Sequence, residues 1–181
     1  MKRLFVLVLL AFLPAGATAQ TPQPYAGMQT RTIKSLSPAQ LDDLRLGRGM
    51  GLALAAELNG YPGPLHVLEL ADQLALSVTQ RERVQSLLAA MKAETIPLGE
   101  TLIAQEAELD RQFANRSVTP VSLAAMTQSI GGTQGALRAA HLKYHLSMLE
   151  TLTPEQVQRY SLLRGYGDGA QPREHRHRHG N

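Results

Sequence analysis

Leu152-Thr153-Pro154-Glu155-Gln156 is the stretch from which the fold can be read. The Thr153 hydroxyl can cap the unpaired N–H groups at the start of a helix. Pro154 suits the first helical turn, where its missing N–H would have had no partner. Gln156, three residues after the cap, can reach back to the Thr153 N–H and close a capping box. The same grammar occurs at Leu36-Ser37-Pro38-Ala39-Gln40 and at Leu76-Ser77-Val78-Thr79-Gln80. Each copy reads Leu, then Ser or Thr, then Gln three further on. Leu76, Ser77 and Gln80 in one copy and Leu152, Thr153 and Gln156 in another are the motif residues.

Working outward from these caps, apolar spacing predicts the helices. Behind Ser77, residues Val84, Leu87, Leu88, Met91, Leu98, Leu102, Leu109 and Phe113 recur at three- and four-residue steps. That is one apolar stripe on one long helix. Pro97 interrupts it and predicts a kink near Thr95 to Pro97. Asn115 to Pro120 reads as a turn. A second long helix follows, with Leu123, Met126, Ile130, Leu137, Tyr144 and Met148 on its stripe and Gly131, Gly132 and Gly135 weakening its centre. The short connection makes the two helices antiparallel. Thr153 then starts a last helix to about Arg164.

Upstream, Ser37 predicts a helix to about Leu58, with Leu41, Leu44, Leu52, Ala55 and Leu58 on one face. Gly47, Gly49 and Gly51 weaken its middle. The Gly47–Gly51 spacing points to close helix packing or a kink. Asn59-Gly60-Tyr61-Pro62-Gly63-Pro64 ends that helix and opens a short one to about Leu76. No strand pattern occurs. The expected fold is all-α: a long kinked antiparallel helical hairpin with short flanking helices, over residues 36–165.

The ends read differently. Lys2 and Arg3, the apolar run Leu4 to Leu13 and Ala17-Thr18-Ala19 make residues 1–19 a cleavable export signal. Residues 20–35, with Pro22, Pro24 and Gly27, read as a flexible arm, and residues 166–181 as a disordered His/Arg-rich tail. The chain has 18 Lys plus Arg against 15 Asp plus Glu. The excess sits at the two ends, in Lys2 and Arg3 and in Arg173, Arg176 and Arg178. Nothing in the body argues for nucleic-acid binding. Cys and Trp are both absent, so an exported chain must hold together by packing alone.

The residues able to carry chemistry are few. There is no cysteine nucleophile, no Gly-x-Ser-x-Gly and no glycine-rich loop behind a strand, so the chain reads as non-enzymatic. His141 and His145 lie one helical turn apart and can face one metal ion. A zinc protease would need Glu after the first histidine, where Leu142 stands. His141 also falls on the apolar stripe between Leu137 and Tyr144, where a packed histidine would serve as well. His66 and Glu69 form a second pair at one-turn spacing, readable equally as a solvated face. His175, His177 and His179 can bind Zn, Cu or Ni or act as a basic solubility tail. No cofactor is required by the pattern; a divalent transition metal is the one these side chains suit. Met91, Leu98, Leu102 and Ile103, among Lys92, Glu94, Glu100, Glu106 and Arg111, suit loose contact with unfolded chains or an ordinary dimer seam.

The repeated Leu-Ser/Thr-x-x-Gln element, the export signal and the all-helical pattern together resemble the Spy/CpxP family of periplasmic proteins. That family includes heavy-metal sensors and zinc-associated proteins. The resemblance covers roughly residues 36–165. It implies a helical hairpin that forms a homodimeric cradle and holds unfolded periplasmic clients without ATP during envelope stress. In the family's metal sensors, histidines precede each Leu-Thr-x-x-Gln motif, as His66 precedes Leu76 and His145 precedes Leu152 here. The alternative it implies is periplasmic binding or sensing of Zn, Ni, Co or Cu, with a membrane sensor as partner. The chain departs from the pattern in two ways. Ser replaces Thr in two copies, and a glycine-containing helix is added at the N-terminal side.

Overall fold

The structure, a computed structural model, describes residues 23–167. The export signal expected over 1–19, and the tail histidines His175, His177 and His179, lie outside the described residues. Of the described residues, 23–30 fall in one compact unit and 31–167 in another. The first contributes a 3-10 turn at Met28–Thr30. The second contains six helices: α1 (Pro38–Arg45), α2 (Leu54–Glu57), α3 (Pro64–Glu69), α4 (Val78–Ala114), α5 (Pro120–Thr151) and α6 (Pro154–Leu163). No strand occurs among the described residues, and the all-α expectation holds.

All three expected capping boxes are closed. Ser37, Ser77 and Thr153 each accept from the backbone N–H of the Gln three residues on, and each Gln side chain accepts from the cap N–H. Thr119 and Ser122 close a fourth at the start of α5. Two of the glutamines do more. Gln80 Nε2 donates to Gln156 Oε1 at 2.8 Å, and Gln156 Nε2 donates back to Gln80 Oε1 at 3.1 Å. The same amides also donate to the carbonyls of Thr151 and Leu74. The starts of α4 and α6 are thereby clasped to each other, to the end of α5 and to the loop after α3.

Helices α4 and α5 pack antiparallel. The hydrogen bonds between them run from Gln80 with the Thr151 carbonyl through Glu94 with Tyr144 to Gln105 with Ser129. Apolar residues gather in two clusters along the pair. One joins Leu76, Val84, Leu87 and Met91 to Tyr144, Met148, Leu152 and Tyr160. The other joins Leu102 and Ile103 to Ile130 and Leu137, with Leu36 and Leu44 laid over them. Leu36, Leu76 and Leu152, the leucines ahead of the three Gln-closed caps, are all buried. Each seats its helix start on the core. α4 runs on through Pro97, which withholds the N–H that would meet the Ala93 carbonyl.

Four expectations are corrected. The helix expected from Ser37 to Leu58 is two, α1 and α2, because Gly47, Met50 and Gly51 adopt left-handed backbone at φ 62°, 44° and 79°. That break lets the end of α1 touch α4. A Cβ on Gly99 would sit 2.5 Å from the Leu44 carbonyl oxygen, and one on Gly47 would sit 2.6 Å from Thr95 Oγ1. The helix from Pro64 ends at Glu69, not Leu76. The turns after it aim the carbonyls of Gln73 and Leu74 at Arg159 and Gln156. Residues 31–35 are no free arm: Ile33 is buried, Lys34 pairs with Asp110 and Ser35 bonds Glu106. The ordered body also reaches past Gly165, since Tyr166 packs on the first cluster.

Thr153→Ala is expected to lose about 1 kcal/mol of stability through its uncapped N–H groups. Gln80→Ala and Gln156→Ala break the same amide pair, so their effects in urea denaturation should couple by about 0.5 kcal/mol or more. Strict additivity would show that the pair does not form. Glycine substitutions should divide by place. Gly99→Ala should lower the melting temperature, losing about 1–3 kcal/mol through overpacking. Gly131→Ala, whose Cβ meets nothing within 4 Å, should gain up to about 1 kcal/mol of helix propensity. Equal melts for the two variants would contradict the α1–α4 contact.

Candidate functional site

Helix α5 carries His141 and His145 inward, one turn apart, and both are buried at 2% and 6% exposure. Facing them is Glu57 at the end of α2, itself only 7% exposed. These three side chains, with His66, Met91 and Tyr166, line a cavity of about 550 Å3 whose wall also includes the glycine loop 46–54, leucines and the cations Lys92 and Arg164. The glycines let backbone pass close to the imidazoles. A Cβ on Gly63 would stand 2.9 Å from His145 Cε1 and 3.2 Å from its Nε2. A Cβ on Gly49 would stand 3.9 Å from His141 Nδ1.

Glu57 is held from three sides. The hydroxyls of Tyr160 and, at 3.4 Å, Tyr166 donate to its Oε1, and Arg164 Nε lies 3.6 Å from the same atom. A buried carboxylate needs such partners, because its desolvation is otherwise very unfavourable. Burial, and then the bond to Glu57, push the Tyr160 hydroxyl well above the usual tyrosine range. His145 Nδ1 lies 2.7 Å from the Tyr61 carbonyl and 3.7 Å from Glu57 Oε2. A carbonyl only accepts, so Nδ1 carries the proton. In the neutral ring, Nε2 then holds the lone pair.

His141 is different. Its Nε2 is buried with no hydrogen-bond partner among the described residues, an arrangement that calls for an explanation in a folded protein. Burial, and then the charge of His145, lower its pKa below the ordinary histidine value. It is therefore neutral at pH 7, with a lone pair to offer. The two readings left open for this residue meet here: it is packed, and one of its nitrogens is unused.

The remaining candidates fall elsewhere. His66 Nδ1 and Glu69 Oε2 are 2.9 Å apart and satisfy each other at the surface; His66 touches the cavity and Glu69 does not. Met91, Leu102 and Ile103 are buried in the two clusters and Leu98 is half-buried against the second. Met91, Leu102 and Ile103 are thus covered by neighbouring helices and offer clients no open face, and Leu98 is partly covered. Exposed large apolar residues lie elsewhere: Leu46, Met50, Leu54, Leu58 and Leu65 on the α1–α3 segment, Phe113 at the end of α4, Leu146 and Leu149 on α5 and Leu162 on α6. Sequence reasoning missed Glu57, Tyr160, Arg164 and Tyr166. Glu57 did carry a signal, as the only acidic residue between Asp43 and Glu69 and set in a run of Leu and Ala.

Among the described residues no three His, Asp or Glu side chains stand close enough to hold one ion. No described helix is long and apolar enough to cross a membrane. Fold and cavity together define a small all-helical protein with a buried imidazole–carboxylate site. Residues 51–159 match the family model described as heavy-metal resistance, and the chain belongs to that family. The matched span includes Glu57, His141, His145 and the paired caps at Ser77 and Thr153. No curated protein and no solved structure matches the chain.

The His141 environment predicts a pH dependence. Its folded pKa is lowered, so below about 6.5 the unfolded chain binds more protons at this position than the folded one. The stability it supplies is complete above that pH and is lost as pH falls through the folded value. Urea midpoints measured from pH 7.5 down to pH 5 should fall for the parent. They should fall less for His141→Gln. Parallel curves would show that His141 is not held neutral by burial.

Proposed function

We propose that this is an exported, non-enzymatic protein that binds a divalent transition-metal ion in the periplasm as part of heavy-metal resistance. The cavity between α2, α5 and the end of α6 is its site. The observation that carries this reading is the unpartnered, buried Nε2 of His141, one helical turn from His145. Family membership points the same way.

The donors present fit part of such a site. Two imidazoles on one helix face suit Zn, Ni, Co or Cu. The bond from His145 to the Tyr61 carbonyl fixes its ring and tautomer, as outer partners of metal-binding histidines do. Glu57 supplies negative charge beside them, although Tyr160, Tyr166 and Arg164 already occupy one of its oxygens. The ion is cargo or signal here. A homodimer and a membrane-borne sensor partner belong to the same proposal.

Client holding is the second reading. Its support is the exposed set Leu46, Leu54 and Leu58, a surface for unfolded chains in place of the buried Met91, Leu102 and Ile103. Metal binding stands ahead of it, because it accounts for both the family and the unpaired nitrogen.

Titration of the chain with Zn, Ni, Co and Cu, followed by calorimetry and by Co absorption, is expected to show one site per chain. His141→Ala/His145→Ala should abolish it. Glu57→Gln should weaken it by roughly 10–100-fold, as losing a supporting group does. Unchanged affinity in the double variant would remove the cavity from consideration.

A further inference from the structure

We propose that the cavity takes its metal ion together with a small organic anion, a carboxylate on an apolar body, which supplies ligands the chain lacks. This rests on the metal-binding reading above and names the form in which the ion is held.

Three properties of the cavity do not suit a bare ion. The first is the ligand count. Sites for these ions ordinarily use about four ligands, and among the described residues no third His, Asp or Glu joins His141 and His145 at binding distance. Water could fill the gap, but the other two properties favour something larger and charged. The second is size and polarity. At about 550 Å3 the cavity falls in the range of sites for small organic molecules. Leu46, Met50, Leu54 and Leu65 line it and are all exposed, so its apolar wall meets water until an apolar group covers it.

The third property is charge. Arg48, Lys92 and Arg164 line the cavity against a single carboxylate, Glu57. Arg48 also pairs with Asp43, which is not part of the wall. An excess of positive charge opposes a bare dication and attracts an anion. Arg164 adds an unused donor, independent of His141. Its Nε is buried with no hydrogen-bond partner among the described residues, 3.6 Å from Glu57 Oε1. A buried donor of this kind calls for an acceptor.

One ligand answers all three. A carboxylate has two oxygens, each able to accept more than one bond. They can bind the ion beside the two imidazoles and also accept from Arg164 or Lys92. The apolar body covers Leu46, Leu54 and Leu65. Ion and anion are then coupled, and each strengthens the binding of the other by the same factor.

The test uses the whole chain, with Zn and Co as metals and octanoate as the anion. Acetate supplies the carboxylate without the body, and octanol the body without the charge. Metal affinity is read by calorimetry with and without each probe. Octanoate should tighten metal binding by roughly 5–150-fold, the usual size of such a coupling. It should also change the Co absorption, as an oxygen ligand enters the shell. Acetate and octanol at the same concentration should do neither. Lys92 is exposed, so Lys92→Gln should fold; it should bind metal alone no less tightly and lose most of the octanoate effect. Metal binding through His141 and His145 that octanoate does not tighten would overturn the proposal and leave the metal reading intact. Equal tightening by octanol, or an undiminished effect in Lys92→Gln, would overturn it in the same way. A chain that takes up octanoate but no metal would overturn both, and so would one that binds neither.

Discussion

The reciprocal amide pair between Gln80 and Gln156 is the constraint on which the rest of the second unit depends. Each glutamine accepts the N–H of its own cap residue and donates to its counterpart. Each also donates to a carbonyl of a neighbouring segment. Nearly all the bonding capacity of two part-buried amides is thereby used, which is the condition under which a buried polar network specifies one arrangement. The residues involved lie 76 positions apart. Closing that loop fixes where α6 leaves α5, and so fixes the position of Tyr160, Arg164 and Tyr166.

From that placement the Glu57 site follows. The tyrosines and arginine of the α6 end meet a glutamate that arrives from α2, over a hundred residues earlier. The glycine loop between α1 and α2 brings it there, turning through left-handed backbone that only a chain with Gly47 and Gly51 adopts readily. One carboxylate thus ties the N-terminal segment to the last helix, on the side of α5 where His141 and His145 point. The cavity is what remains between these polar ties and the two apolar clusters. One side of it is loop and helix end, and the other is the face of α5 that carries His141 and His145.

Caps and periodicity were legible because they are local. A Ser or Thr three residues before a Gln closes its box with atoms of the same turn, so Ser37, Ser77 and Thr153 could be assigned without knowing the fold. The stripe from Val84 to Phe113 and the one from Leu123 to Met148 identified two long helices, and a five-residue connection made them antiparallel. The His141–His145 pair was visible for the same reason, since four residues on a helix is one turn. The residues that defeated local reading were those with distant partners. Periodicity joined residues 37 to 58 into one helix because it weighs apolar spacing and not the close approach of Leu44 to Gly99. Residues 31–35 looked like a solvated arm because Asp110 and Glu106, which hold them, lie some 70 positions away. Met91, Leu102 and Ile103 looked available for partners because a stripe does not say how many neighbours will cover it.

The sequence by itself determined the class of fold, the helix starts and the one-turn spacing of the two histidines, all of which are set by contacts within a few residues. Tertiary structure alone decided that Glu57 would be buried against Tyr160 and Arg164 and that His141 would keep an unpaired nitrogen. Those outcomes depend on which segments exclude water from one another, and burial is a property of the assembled chain that no local pattern encodes.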